Sequence, residues 1–157
     1  MFRHVGSVAP QLMVPRLTPS PRLLAFGPMD DGVYVGNAGK DATVNRGWLL
    51  GHFVERGDPR HSEAVEVKWG VHPRGEQRAQ WVEGEVRTAL LVLITGRFRM
   101  KFPGREVLLE RQGDYVVWGQ GVDHSWFAED DSVVMTLRWP SVSGYAVPDE
   151  EGSARPK

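Results

Sequence analysis

Apolar and polar residues alternate with a period of two along much of the chain after Trp48, and this period is typical of β-strands. Pro, Gly and Asp residues separate the alternating segments, as they do at turns. No helical period extends over ten residues in this region. The predicted strands cover residues 64–71, 87–95, 97–102, 106–110, 115–118, 122–128 and 133–139. Strands at this spacing favour an all-β protein, a sandwich or barrel of the jelly-roll type.

Two of the predicted strands have faces of contrasting chemistry. Residues 64–71 are predicted to form a half-buried strand, with apolar residues from Val65 to Val71 on one face and Glu66, Lys68 and Gly70 on the other. Residues 97–102 alternate aromatic or Met residues with three cations. That row of cations either lines a pocket for an anion or forms a solvated strand face, and the second arrangement is the commoner one.

The two ends of the chain differ from its middle. Five prolines before residue 29 interrupt every apolar stretch, so residues 1–40 are predicted to form an extended, partly disordered arm. Residues 41–142 would form the barrel. The polar residues 143–157 are expected to be a flexible tail.

Composition excludes several classes of function. The chain has 157 residues and a net charge of −1, which suits one domain without a broad cationic surface for nucleic acid or an anionic membrane. It has no cysteine, so thiol catalysis and thiolate metal sites are excluded. The longest apolar run, residues 89–94, is far shorter than the roughly 18 residues of a membrane span. We therefore expect a cytoplasmic protein that binds neither nucleic acid nor membrane.

One segment has a specific resemblance. Residues 113–124 begin with a Gly-Asp turn, continue through Gly119-Gln-Gly121 and end at His124. This sequence resembles the second conserved motif of the cupins, with Gly119 in the place of the motif's Pro. The resemblance implies a jelly-roll β-barrel, an inward-facing His124 and a homodimer. The barrel would follow the extended N-terminal arm.

The first cupin motif is present only as a strand pattern and a closing Gly, Gly96. In cupins this motif supplies two His and a Glu, but here the Glu position falls near Ala89 and the His positions fall on Glu83 and Glu85, or on Trp81 and Glu83. We favour the interpretation that both Glu lie on a solvated loop and that no cofactor is bound. The alternative is a Glu-Glu-His site for Mn or Fe(II), formed by His124 with Glu83 and Glu85 on one strand face.

Several other side chains are candidates for contact with a ligand. Aromatic walls hold flat ligands in barrel mouths, and an inward-facing arginine needs an anionic partner. His72 lies in the polar segment after a predicted buried strand, where a loop can direct it into the barrel. The predicted ligand-binding residues are His124, Trp81, Trp118, Trp126 and Arg138.

These features predict a cupin-fold protein that binds a small organic molecule in the barrel, with the standard metal site degraded. The alternative is a divalent-metal-dependent oxygenase, isomerase or lyase that uses His124 with Glu83 or Glu85, assisted by His72. A metal-free acid–base enzyme would use Tyr115 with His124, since some cupin-like epimerases use His and Tyr. A non-catalytic sensor or dimerisation subunit is the remaining class.

Overall fold

The structure is a computed structural model that describes residues 32–143. Most of the predicted arm and nearly all of the predicted tail lie outside the described residues, so both stay predictions. The elements of the described chain are α1 (Ala38–Asp41), β1 (Trp48–Leu50), β2 (Glu66–His72), β3 (Thr88–Thr95), β4 (Phe98–Phe102), β5 (Arg105–Leu109), β6 (Tyr115–Trp118), β7 (Ser125–Ala128) and β8 (Ser132–Trp139).

The strands form two antiparallel sheets. The larger has the order β1-β2-β8-β3-β6, and the smaller has the order β5-β4-β7. Residues 75–82 continue the smaller sheet beside β7, because Arg78 N donates to Trp126 O at 3.1 Å and Val82 N donates to His124 O at 2.9 Å. The predicted all-β jelly-roll barrel is confirmed. Its strands lie within three residues of their predicted bounds, and the short β1 is an addition.

The core lies between the two sheets. It consists of buried apolar side chains from β3, β4, β5, β6 and β8, together with Ala128 of β7. Its members are Ala89, Leu91, Leu93, Phe98, Met100, Leu109, Trp118, Ala128 and Val134. Full burial of a large apolar side chain contributes about 1.5–3 kcal/mol, so this cluster is the main source of stability. Leu91, Phe98 and Val134 also form the floor of a cavity between the sheets.

Strand β2 turns its polar face inward. Glu66 is buried, and Lys68 and His72 line the cavity between the sheets, whereas Val71 on the opposite face is 63% exposed. A half-buried strand was predicted correctly, but an inward-facing apolar side is wrong for β2. The reason is that the interior at this end of the barrel is a polar cavity, so the usual rule of apolar residues inside does not apply there.

Strand β4 has the opposite arrangement. Phe98 and Met100 are buried in the core, and the cations between them face outward. Arg99 Nε donates to Glu129 Oε1 at 2.7 Å, and its Nη1 contacts Glu106 Oε2 at 2.9 Å. The cationic row is therefore an ion-paired outer face. Across the described chain no helix is long and apolar enough to cross a membrane.

Candidate ligand-binding cavity

The barrel contains an open cavity of about 470 Å³ between its two sheets. Its walls come from the inward faces of β2 and β8, the end of β6, the start of β7, residues 75–82 and the loops around β1. Cavities that hold small organic ligands measure about 300–1,000 Å³. The cavity therefore has the size of a site for a small molecule.

His72 ends β2 and lies against an aromatic wall. Its ring centroid is 4.4 Å from that of Trp126 and 5.3 Å from that of Phe98. Its Nδ1 lies 2.8 Å from Oε2 of Glu76, and a carboxylate accepts, so Nδ1 carries the proton and Nε2 carries the lone pair. Burial lowers the pKa of His72, although Glu76 acts in the other direction. The ring is therefore mostly neutral at pH 7.

His124 precedes β7 and faces the same cavity. Its Nδ1 lies 3.1 Å from the carbonyl oxygen of Val122, which assigns the proton to Nδ1 and leaves Nε2 as an acceptor. The Trp118 ring lies 4.8 Å away between centroids. Burial lowers the pKa of His124, so this imidazole is also mostly neutral at pH 7.

Five cations line the cavity: Arg46, Lys68, Arg78, Arg87 and Arg138. Lys68 Nζ lies 5.6 Å from the centre of the Trp48 ring, and within residues 32–143 its ammonium has neither an ion pair nor a hydrogen bond. Burial lowers the pKa of Lys68, and the charges of Arg138 and Arg78 lower it further. Lys68 is thus a cation in the barrel interior without a carboxylate partner in the described chain.

Two of these cations, Arg87 and Arg138, form a buried ion-pair cluster with Glu66 and Glu85. Arg87 Nη1 contacts Glu85 Oε1 at 2.6 Å, and Arg138 contacts Glu66 Oε1 at 2.5 Å through Nη2 and Glu85 Oε2 at 3.2 Å through Nη1. Ser141 Oγ donates to the other oxygen of Glu66 at 3.1 Å. Two carboxylates and two guanidiniums balance, so the cluster does not neutralise Lys68.

Comparisons with known proteins concern the fold. No protein-family model matches the chain, and no curated protein matches it by sequence. The order of the strands in the two sheets is that of a jelly roll, and residues 113–124 lead through β6 to His124 in the cavity, as the second cupin motif implies. The described chain has a jelly-roll β-barrel fold.

Solved cupins are similar to this barrel at low sequence identity. An RmlC-like cupin from Shewanella frigidimarina aligns with a TM-score of 0.47 and 14% identity, over 52% of this chain and 70% of that one. KdgF from Halomonas sp. aligns with a TM-score of 0.46 and 23% identity, over 51% and 73% of the two chains. A cupin-2 domain protein from Shewanella frigidimarina aligns with a TM-score of 0.46 and 16% identity, over 66% and 92%. None of these likenesses extends to a substrate or an activity.

The residues of this barrel do not fit the metal that the resemblance to the cupins implies. Glu83 is exposed, whereas Glu85 is 3% exposed and its two oxygens contact arginines. Gly84 between them has a φ of +63°, so the two carboxylates do not share a strand face. Within residues 32–143, no group of three His, Asp or Glu side chains could hold an ion. The predicted Glu-Glu-His grouping is wrong, and so is the solvated position predicted for Glu85.

The other predicted site residues divide into two groups. His72, His124, Trp118, Trp126 and Arg138 line the cavity, and their contact with a ligand stays a prediction. Trp81 is 42% exposed and Tyr115 is 64% exposed, and neither lines the cavity. Trp81 precedes the buried Val82 and so faces outward, while Tyr115 lies opposite Val92 on the outer face of the larger sheet. The predicted Tyr115–His124 pair is therefore wrong.

Sequence analysis missed the inward-facing polar residues of β2 and their partners. Glu66, Lys68 and Arg87 were not among the candidates, and neither was Trp48. The available signal was the strict alternation in β2, where Glu66, Lys68 and His72 share one face. Because His72 was itself a candidate for the barrel mouth, the period of two could have placed Lys68 beside it.

Proposed function

We propose that this cupin barrel binds a small organic anion, namely a carboxylate with a flat or ring-shaped apolar part. The observation that carries the proposal is Lys68, a cation in the cavity wall without a carboxylate partner in the described chain. Burial of a charge is costly unless the charge is paired, so an anionic ligand would supply the missing partner.

The charge around the cavity supports an anion over a neutral ligand. Arg138 already contacts Glu66 and Glu85, whereas Lys68 adds positive charge close to it. Arg46 and Arg78 lie in the same wall. A carboxylate that accepts hydrogen bonds from these groups would form charge-assisted bonds, which are stronger than bonds between neutral groups.

The aromatic residues of the cavity support the apolar part of the ligand. The ring pairs His72–Trp126 and Trp118–His124 form an aromatic wall, with centroid distances of 4.4 and 4.8 Å. Both imidazoles are held by hydrogen bonds through Nδ1, so each presents Nε2 as an acceptor. A flat ligand between this wall and the cations would bury aromatic surface and satisfy its carboxylate together.

A matched pair of probes tests the proposal. We expect 3-phenylpropionate to quench tryptophan fluorescence and to give a calorimetric binding signal, whereas the neutral 3-phenylpropionamide binds at least about tenfold more weakly. Lys68→Met should weaken binding of the carboxylate by about 10–100-fold, the effect of one lost charge-assisted hydrogen bond. Lys101→Met is the matched control, because Lys101 lies on the outward face of β4.

Two results would contradict the proposal. Equal affinities for the carboxylate and the amide would show that the cations do not select the ligand. Unchanged affinity in Lys68→Met, with Lys101→Met as the reference, would remove Lys68 from the site. Binding should also weaken as salt is added, since partly exposed charges are screened.

A further inference from the structure

We propose that Lys68 is also an amine nucleophile, which forms an imine with the carbonyl group of a 2-oxo acid held in the barrel. This inference rests on the proposed function, because the same cations that bind a carboxylate would bring its neighbouring carbonyl carbon to the amine. It adds a covalent activity to what is otherwise a binding site.

The inward face of β2 places an amine and a neutral imidazole in one cavity. Lys68, Gly70 and His72 alternate on this face, and both side chains line the cavity. A Cβ atom added to Gly70 would lie 2.6 Å from Nε2 of His72, so the ring folds back along the strand over Gly70. Only glycine permits this approach, and it leaves the basic nitrogen of His72 over the strand between the two side chains.

The groups that face Lys68 favour its neutral form. Arg138 approaches from β8, Arg78 and Glu76 from residues 75–82, and Arg46 from the loop before β1. Three of these four groups are cations, and burial acts in the same direction, so the pKa of Lys68 lies below that of an exposed lysine. A lysine that is desolvated beside other cations is more often neutral, and the neutral amine is the nucleophile.

The covalent step needs no reagent beyond the amine and the 2-oxo acid. The lone pair of Nζ forms a bond to the carbonyl carbon, and the carbonyl π electrons move to oxygen, which takes up a proton. The resulting carbinolamine then loses water as the nitrogen lone pair forms the C=N bond. The two N–H protons are balanced by the two protons of the released water. Nε2 of His72 is an acceptor, so it can carry a proton from nitrogen to oxygen.

The two charges of the ligand site have separate tasks in this step. The guanidiniums of Arg78 and Arg138 stay protonated and hold the carboxylate, since arginine is not deprotonated in proteins. Lys68 can lose its proton and react. A 2-oxo acid carries its carbonyl carbon directly next to the carboxylate, so binding of one group positions the other.

Reductive trapping on the full chain tests the inference. The probe is phenylpyruvate with sodium cyanoborohydride, which reduces an imine to a stable secondary amine, and the adduct is located by peptide mapping in a mass spectrometer. The chain has four lysines, at positions 40, 68, 101 and 157, so the other three are internal references. We expect the Lys68 adduct to form at least about tenfold faster than the adduct at the exposed Lys40, and its formation rate to reach half its maximum at a lower pH.

Variants separate a covalent role from a purely ionic one. Lys68→Arg keeps the positive charge and removes the nucleophile, so it should yield no adduct at position 68. His72→Gln should slow formation of the Lys68 adduct by at least about tenfold, if proton transfer by His72 assists the step. An unchanged rate in His72→Gln would overturn that part of the inference.

Two outcomes distinguish this inference from the proposed function. If wild-type protein binds 3-phenylpropionate but phenylpyruvate labels Lys68 no faster than Lys40, the imine is overturned and anion binding stands. If 3-phenylpropionate does not bind, the proposed function fails as well. Preferential labelling of Lys68 that excess 3-phenylpropionate suppresses would support both.

Discussion

The buried ion-pair cluster allows a direct test of how the barrel is held together. In Glu85→Gln the side chain keeps its size but loses its charge, at a residue that is 3% exposed and contacts both Arg87 and Arg138. Arg87, which is 2% exposed, would keep only its 3.4 Å contact to Glu66 among the carboxylates of the cluster. The variant therefore leaves a buried guanidinium with too little negative charge around it.

The magnitude follows from the burial of both partners. Removal of one partner from a buried ion pair costs about 3–5 kcal/mol, because the remaining charge stays desolvated. Gln can still accept one hydrogen bond, so we take the lower end, about 3 kcal/mol in the free energy of unfolding. In a chain of this length, each kcal/mol lost from the free energy of unfolding lowers Tm by about 2–4 °C. The expected decrease in Tm is therefore about 6–12 °C.

Glu83→Gln is the matched control, since Glu83 lies two residues away and is exposed. Thermal unfolding followed by circular dichroism, with urea unfolding for the free energy, would compare the two variants with wild type. A change in Glu83→Gln within about 0.5 kcal/mol is expected for an exposed site. Equal stabilities of Glu85→Gln and Glu83→Gln would refute the buried cluster and would return Glu85 to the solvated loop that sequence alone predicts.

Four further measurements check separate parts of the argument. His124→Ala should weaken binding of 3-phenylpropionate and lower the free energy of unfolding by about 1 kcal/mol, since its ring makes one hydrogen bond to Val122; binding is followed by calorimetry. Because burial lowers the pKa values of His72 and His124, the unfolded chain binds more protons below about pH 6.5, so urea unfolding should give a lower free energy at pH 5.5 than at pH 7.5. Elemental analysis of the untagged protein should find no stoichiometric Mn or Fe, and chelator should leave anion binding unchanged; one bound equivalent would restore the metal-dependent alternative. Light scattering at micromolar concentration should give the mass of a homodimer, because the outer face of the larger sheet is apolar, with Tyr115 and Val71 more than 60% exposed; a monomer would contradict this.

Sequence periodicity predicted the architecture well, because strand formation depends on local alternation and on turn residues. The bounds of β6 are those predicted, and β3 differs by one residue. Alternation also groups residues by face correctly, as in β4, where Phe98 and Met100 are buried together. These features need no knowledge of distant parts of the chain.

Periodicity does not state which face of a strand turns inward. The apolar face of a half-buried strand usually turns inward, yet in β2 Glu66 is 1% exposed and Val71 is 63% exposed. Glu66 is stable there because Arg138, 72 residues later, donates to it from the neighbouring strand at 2.6 Å. Such a partner depends on the register between β2 and β8, in which Glu66 lies opposite Arg138, and that register is set by the whole barrel.

The contacts of Glu85 explain why the described residues do not fit a divalent metal ion. A carboxylate holds a divalent ion with lone pairs that are free, but those of Glu85 accept N–H groups from Arg87 and Arg138. An ion would have to displace a buried guanidinium, which would then lose its partner at a cost of several kcal/mol. The guanidiniums of Arg87 and Arg138 together carry the same charge as a divalent ion. They differ from the ion because they bind through directional N–H donors. Glu66 and Glu85 balance this charge within the cluster, so the positive charge of Lys68 in the cavity wall is not compensated by it.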